Sequence, residues 1–125
     1  MIVGIGTDIC DIARMERVIK RQAKFVDRVL TEPELAQYHQ RKTPSVFLAS
    51  RFAAKEAALK ALGTGLAQGI SWKDVEVSNL ASGQPVLTFS GRASEIAQEK
   101  GVSIIHLSLS DEQSHAIAFV VLESD

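Results

Sequence analysis

The stretch from about Val46 to Leu62, which runs into "RFAAKEAALKALGTG" (51–65), limits the fold more than any other part of this chain. Read as a helix at about 100° per residue, it puts Leu48, Phe52, Leu59 and Leu62 on one apolar arc. Ala49, Ala53, Ala57 and Ala61 make a second arc of small side chains, suited to close packing on a sheet. A helix that is apolar on two sides is mostly buried, and Gly63 is a good stop for it. The polar side chains left on it, Arg51, Lys55, Glu56 and Lys60, therefore need reasons.

Elements that can cover this helix lie on either side of it. Residues 2–9, within "MIVGIGTDI", read as a strand, and Asp11 is a plausible N-cap for a helix from about Ile12 into the twenties. Thr31-Glu32-Pro33-Glu34 has the form of a capping box and starts a second, short helix. "RKTPS" (41–45) is a polar break, and 63–71 is a glycine-rich loop. Trp72–Leu80 and Val86–Phe89 read as a hairpin around "ASGQP". Ser90 caps a helix to Lys100, and two more strands follow, Ile104–Leu109 and His115–Leu122. The order predicts one α+β domain over residues 1–125, a mainly antiparallel sheet packed on the central buried helix.

Bulk composition narrows the class. The chain has 125 residues, 46% hydrophobic and 23% charged, which suits a globular domain with one core. Its first basic residue is Arg14 and its longest apolar run near the end is Ala116–Leu122, so neither a signal peptide nor a membrane span is expected. The single cysteine, Cys10, has no disulfide partner, which points to the reducing cytoplasm.

Asp8 interrupts the first apolar strand, and a buried carboxylate is costly unless it is paired or bound to a metal. Glu56 is the candidate partner. Glu56 and Lys60 stand at i and i+4, the spacing of an ordinary surface pair contributing a few tenths of a kcal/mol (~0.3). Taken with Asp8 and the Gly63–Gly65 loop, the same residues read differently. Mg²⁺ is commonly held by one or two carboxylates, water and substrate phosphate, and Lys60 is placed to neutralise phosphate charge.

"IGTDI", "RFAAKEAALKALGTG", "GQP" (83–85) and "HLSLSDE" (106–112) occur here in the order found in the holo-[acyl-carrier-protein] synthases, and over essentially its whole length the chain resembles that family. These are short bacterial 4'-phosphopantetheinyl transferases. The resemblance implies their fold and their reaction, the transfer of the 4'-phosphopantetheinyl group of coenzyme A to a serine of acyl carrier protein, in fatty acid biosynthesis. Adenosine 3',5'-bisphosphate is the other product. It further implies that Asp8 and Glu56 bind Mg²⁺ at the coenzyme A pyrophosphate and that Lys60 contacts the phosphates. Arg51, Gly63, Gly65, Pro85 and His106 would line the coenzyme A cleft, between neighbouring subunits of a homotrimer. Glu56 is the candidate acceptor for the serine proton and Asp8 chiefly a ligand, with Lys60 stabilising developing negative charge.

Between Asp11 and Arg28 there are six basic residues against three acidic ones, in a chain whose net charge is −1. If the helix runs unbroken, Arg14, Arg17, Arg21, Lys24 and Arg28 share one quadrant. A solvated face is the usual account of such a stripe; the resemblance makes it the docking surface for an acidic carrier protein, through Arg14, Arg21, Lys24, Arg28 and the apolar Phe25. Nucleic acid fits poorly, given the overall charge and the lack of interleaved aromatics, and no membrane partner is expected. A non-catalytic subunit that binds coenzyme A or carrier protein is the alternative, but it would not need both Asp8 and Glu56. Cys10 reads as a small buried side chain, Trp72 as core or subunit interface, and His106 and His115 lack a third ligand at metal spacing.

Overall fold

The computed structural model describes residues 1–125. The chain opens with β1 (Ile2–Asp11), whose last carboxylate accepts a hydrogen bond from the Arg14 N–H at 3.2 Å and so caps the next helix. Then come α1 (Ile12–Arg21), α2 (Ala23–Val29), α3 (Glu32–His39) and α4 (Pro44–Leu62). A single 3-10 turn (Trp72–Asp74) leads into β2 (Val75–Asn79), β3 (Pro85–Phe89), α5 (Gly91–Glu99), β4 (Ile104–Asp111) and β5 (His115–Glu123). The expected α+β class holds, and every strand pairing is antiparallel: one sheet in the order β1-β5-β4, and a separate β2-β3 hairpin.

β1 and β4 each run two residues further than expected, to Asp11 and Asp111, and three other boundaries also differ. The basic helix is not continuous: Gln22 leaves helical geometry (φ −138°, ψ 69°) and divides it into α1 and α2. α4 begins at Pro44 rather than Val46, because a proline in the first helical turn forfeits no hydrogen bond. Trp72 begins the 3-10 turn, capped by Ser71 and Asp74, and the strand starts only at Val75.

Both arcs of α4 are buried, as its pattern requires. Its alanine side lies on the sheet, where β1 contributes almost no side chain. A Cβ at Gly4 or Gly6 would collide with the carbonyl oxygens of Ala61 and Ala57. Helix and strand therefore meet backbone to backbone, and the alternation of β1 turns Gly4, Gly6, Asp8 and Cys10 toward α4. Beside them on β5, Ala116, Ala118, Val120 and Leu122 are fully buried.

The opposite face of the sheet is apolar and uncovered. Cross-strand rows run Ile5–Val121–His106, Thr7–Phe119–Ser108 and Ile9–Ile117–Ser110. Ile5, Ile9, Ile117 and Phe119 remain 44–61% exposed, an apolar patch of the kind that marks an interaction surface.

Candidate active site

Gly4 meets Ala61 and Gly6 meets Ala57, so Asp8, next on that face of β1, falls one turn earlier on α4, at the level of Ala53 and Glu56. Both acidic side chains are half-buried. Desolvation pushes the Glu56 carboxyl above the usual range, and the negative charge of Asp8 adds to it. The Trp72 indole and the cations Lys60 and Arg14 pull in the other direction. Lys60 does not pair with Glu56. Its ammonium crosses to β1, donating to Asp8 Oδ1 at 2.9 Å and to the Thr7 carbonyl at 3.0 Å. No cluster of three or more His, Cys, Asp or Glu forms anywhere in the chain; Asp8 and Glu56 are two carboxylates close enough for the charge of one to act on the other.

The other polar residues of α4 have separate reasons. Arg51 is 6% exposed; it donates to Asn79 Oδ1 at 3.0 Å and stacks on the Phe47 ring at 4.6 Å, with Arg41 over the same ring. Burial lowers its pKa, and Arg41 lowers it further against the opposing pull of Glu34. Arg51, Asn79, Pro85 and Ser108 line a concavity of about 400 Å³, which brings two of the expected cleft residues, Arg51 and Pro85, together. Arg51 precedes Lys60 by nine residues, about 14 Å along the helix at ~1.5 Å each.

Lys55, which the sequence left without a partner, is fully buried. Its three donors are used by Glu34 at 2.7 Å, Val75 O at 2.6 Å and Trp72 O at 3.3 Å. Glu34, 1% exposed, also accepts from Thr31 N and Val77 N. The capping box thus doubles as the anchor of β2, a role that the spacing of Thr31 and Glu34 could not reveal.

Gly63 takes the left-handed conformation (φ 81°) that ends α4, its N–H closing on Leu59 and Lys60. Gly65 is left-handed as well (φ 59°) and turns the chain away beyond Lys60. His106 stands apart. Its Nε2 lies 2.9 Å from Glu123 Oε1 on the outer face of the sheet, whereas Asp8 is on the inner face. One chain therefore does not gather all the expected cleft residues: it joins Asp8, Glu56 and Lys60, separately joins Arg51 and Pro85, and leaves His106 behind the sheet.

Arg14, Arg17, Lys20, Arg21, Lys24 and Arg28 are all exposed, and none makes an ion pair within the chain. The break at Gln22 spreads them over two helices instead of one stripe. Phe25 is turned inward, packed on Phe52 and Trp72 with ring centroids 5.6 and 5.7 Å away. Its ring serves first to seat α2 on α4.

Comparison with known proteins agrees with this architecture. Residues 4–120 match the family model of the 4'-phosphopantetheinyl transferase superfamily. The chain is 52% identical over 124 residues to a holo-[acyl-carrier-protein] synthase of Vibrio cholerae, covering 98% of each. The crystal structure of the holo-[acyl-carrier-protein] synthase of Neisseria meningitidis is similar at a TM-score of 0.90 and 43% identity, over 99% of this chain and 100% of that one. A Bacillus anthracis holo-(acyl-carrier-protein) synthase, solved in complex with CoA (3',5'-ADP), is similar at a TM-score of 0.85 and 42% identity, over 100% and 99%.

Proposed function

Since the chain belongs to the 4'-phosphopantetheinyl transferase superfamily, among the holo-[acyl-carrier-protein] synthases, we propose that it transfers the 4'-phosphopantetheinyl group of coenzyme A to a serine of apo acyl carrier protein. The observation that carries the reading is the meeting of Asp8, Glu56 and Lys60 where β1 crosses α4.

In the reaction the serine oxygen forms a bond to the phosphorus bearing the pantetheine arm. The bond from that phosphorus to the bridging oxygen breaks, and adenosine 3',5'-bisphosphate leaves. Such transfers ask for alignment and charge stabilisation more than for covalent chemistry. A carboxylate oxygen of Glu56 takes the serine proton. Lys60, more than half exposed, is able to reach the phosphates from its seat on Asp8. Arg51, about 14 Å back along α4, stacked and held by Asn79, supplies a fixed cation for the nucleotide end, with Arg41 beside it. Coenzyme A is long enough to span the two. Pro85 lines the concavity at the Arg51 end, and Gly63 and Gly65 expose backbone just beyond Lys60, at the phosphate end.

The donor set fits Mg²⁺. Two like charges side by side, one of them destabilised by burial, are relieved by a hard divalent cation that prefers oxygen. Asp8 and Glu56 would hold it, and it would supply polarisation of the phosphate and neutralisation of the leaving group's charge.

A homotrimer accounts for the rest. The exposed Ile5, Ile9, Ile117 and Phe119 need cover, and His106 reaches a coenzyme A cleft only if that cleft is shared with another copy. The six unpaired cations of α1 and α2 would receive the acidic carrier. No helix is long and apolar enough to cross a membrane. The one cysteine is a free thiol, which suits a reducing cytoplasm, and the reaction itself belongs with fatty acid biosynthesis. The test is mass spectrometry of apo carrier protein incubated with this chain, coenzyme A and Mg²⁺. A gain of one phosphopantetheinyl group is expected; binding of both partners without transfer would leave only a coenzyme A or carrier-binding subunit.

A further inference from the structure

Trp72 is the only tryptophan in the chain, and its position is fixed from several sides. Its ring is wedged against Phe25 and Phe52, with centroids 5.7 Å from each. Its carbonyl oxygen accepts from Lys55, the ammonium that is itself locked to Glu34 and Val75. Phe52, Lys55 and Glu56 stand at i, i+3 and i+4, so these contacts press the indole against the turn of α4 that carries Glu56. Yet the indole N–H is buried and has no acceptor in the chain. A buried donor without a partner has given up its water for nothing, and native structures rarely leave one so. The neighbouring acceptor with capacity to spare is Glu56, whose carboxyl already senses the indole.

The geometry points to Trp72 as a positioning residue for Glu56: its indole N–H is poised to bond one carboxylate oxygen, which turns the other toward Asp8. This rests on the reading of Glu56 as a metal-binding carboxylate. A glutamate has three side-chain torsions to restrain, and only Asp8, across the strand, stands opposite it. Partners behind a ligand that fix its orientation strengthen binding by limiting that freedom. The indole does so from a restrained seat: Lys55 holds its backbone carbonyl, and Phe25 and Phe52 pack against its ring. A phenylalanine at 72 would fill the same wedge and lack the donor. The buried Glu34–Lys55 pair thereby gains a second task, holding the backbone of the residue that aims Glu56.

With a single tryptophan, the indole N–H gives one unambiguous peak in a ¹H–¹⁵N spectrum. On titration with Mg²⁺ that peak is expected to move downfield in the wild type and to stay put in Glu56→Gln. Trp72→Phe is expected to keep its melting midpoint. Its Mg²⁺ dissociation constant, measured calorimetrically, should rise about tenfold, and kcat should fall by a similar factor with KM for carrier protein unchanged. Should the wild type bind Mg²⁺ while the indole peak ignores it and Trp72→Phe binds as tightly, the positioning role is overturned and the metal reading survives. A wild type that binds no Mg²⁺, with coenzyme A present, removes the metal reading and this role with it. If Trp72→Phe fails to fold, the indole peak of wild type and Glu56→Gln decides alone.

Discussion

Lys60 lies 2.9 Å from Asp8 and leaves Glu56, its neighbour one helical turn back, without an ammonium of its own. The cation thus bridges helix and strand, and desolvation leaves Glu56 with a raised affinity for a proton. Lys60→Ala should lower kcat about 10²-fold, the scale of losing one donor to a developing oxyanion. Because the Lys60 ammonium is more than half exposed, loss of the pair should cost about 1 kcal/mol of stability. Single-turnover rates set beside urea midpoints check both halves; a large drop in midpoint would make Lys60 structural instead.

Glu56→Gln keeps the shape of the side chain but cannot accept the serine proton. The fold should persist, and Mg²⁺-dependent transfer should fall by roughly 10²–10⁴. Near-wild-type turnover in this variant would remove Glu56 from the chemistry.

Lys55→Met tests the buried pair. It strands the Glu34 carboxylate at 1% exposure, and breaking such a pair costs about 3–5 kcal/mol. Equilibrium denaturation should show that loss, and Lys55→Met with Glu34→Gln should recover more than half of it. A single variant as stable as wild type would show the pair to be dispensable.

Burial raises the Cys10 thiol to about 11, with Arg14 opposing and Asp8 adding to the shift. Near pH 8 the thiolate should therefore be about a hundredfold scarcer than in the unfolded chain, and labelling by a thiol reagent correspondingly slower. The folded state holds the thiol proton longer than the unfolded state. Its contribution to stability is full below pH 9.0, the unfolded value, and is lost as pH rises through about 11. Labelling at equal rates with and without denaturant would contradict this burial.

Arg21→Glu and Arg28→Glu probe docking of the carrier without touching the site. Each should raise KM for carrier protein about tenfold, a loss of ~1.4 kcal/mol, with KM for coenzyme A unchanged and a shallower dependence on salt. Arg14 is a poorer probe, since its charge also reaches Glu56. Unaltered kinetics in both variants would move the docking surface elsewhere.

How far the residue pattern reached is clearest on α4. Its two arcs announced a helix buried on both sides, and Gly63 marked its end, because periodicity and capping are local properties. Asp8 announced a partner, since a carboxylate in an apolar strand is costly anywhere. Lys55 and Glu34 stayed silent: a lysine among alanines and a glutamate in a capping box each have a sufficient local explanation, and only the tertiary fold joins them. The break at Gln22 carries no proline or glycine to betray it, and Met15 on α1 and Val26 on α2 are both buried in the one core on either side of it. Phe25 was expected on the surface with the cations beside it, yet Phe52 and Trp72 claim its ring.

The strand–helix crossing at Gly4 and Gly6 has a consequence for tolerance to change. Even a methyl group at position 6 would wedge the two backbones apart, and the gap between the acids would widen with them. The ruler that sets the reach of the chemistry is thus made of residues that take no part in it, and alanine there should silence the enzyme before it unfolds the chain.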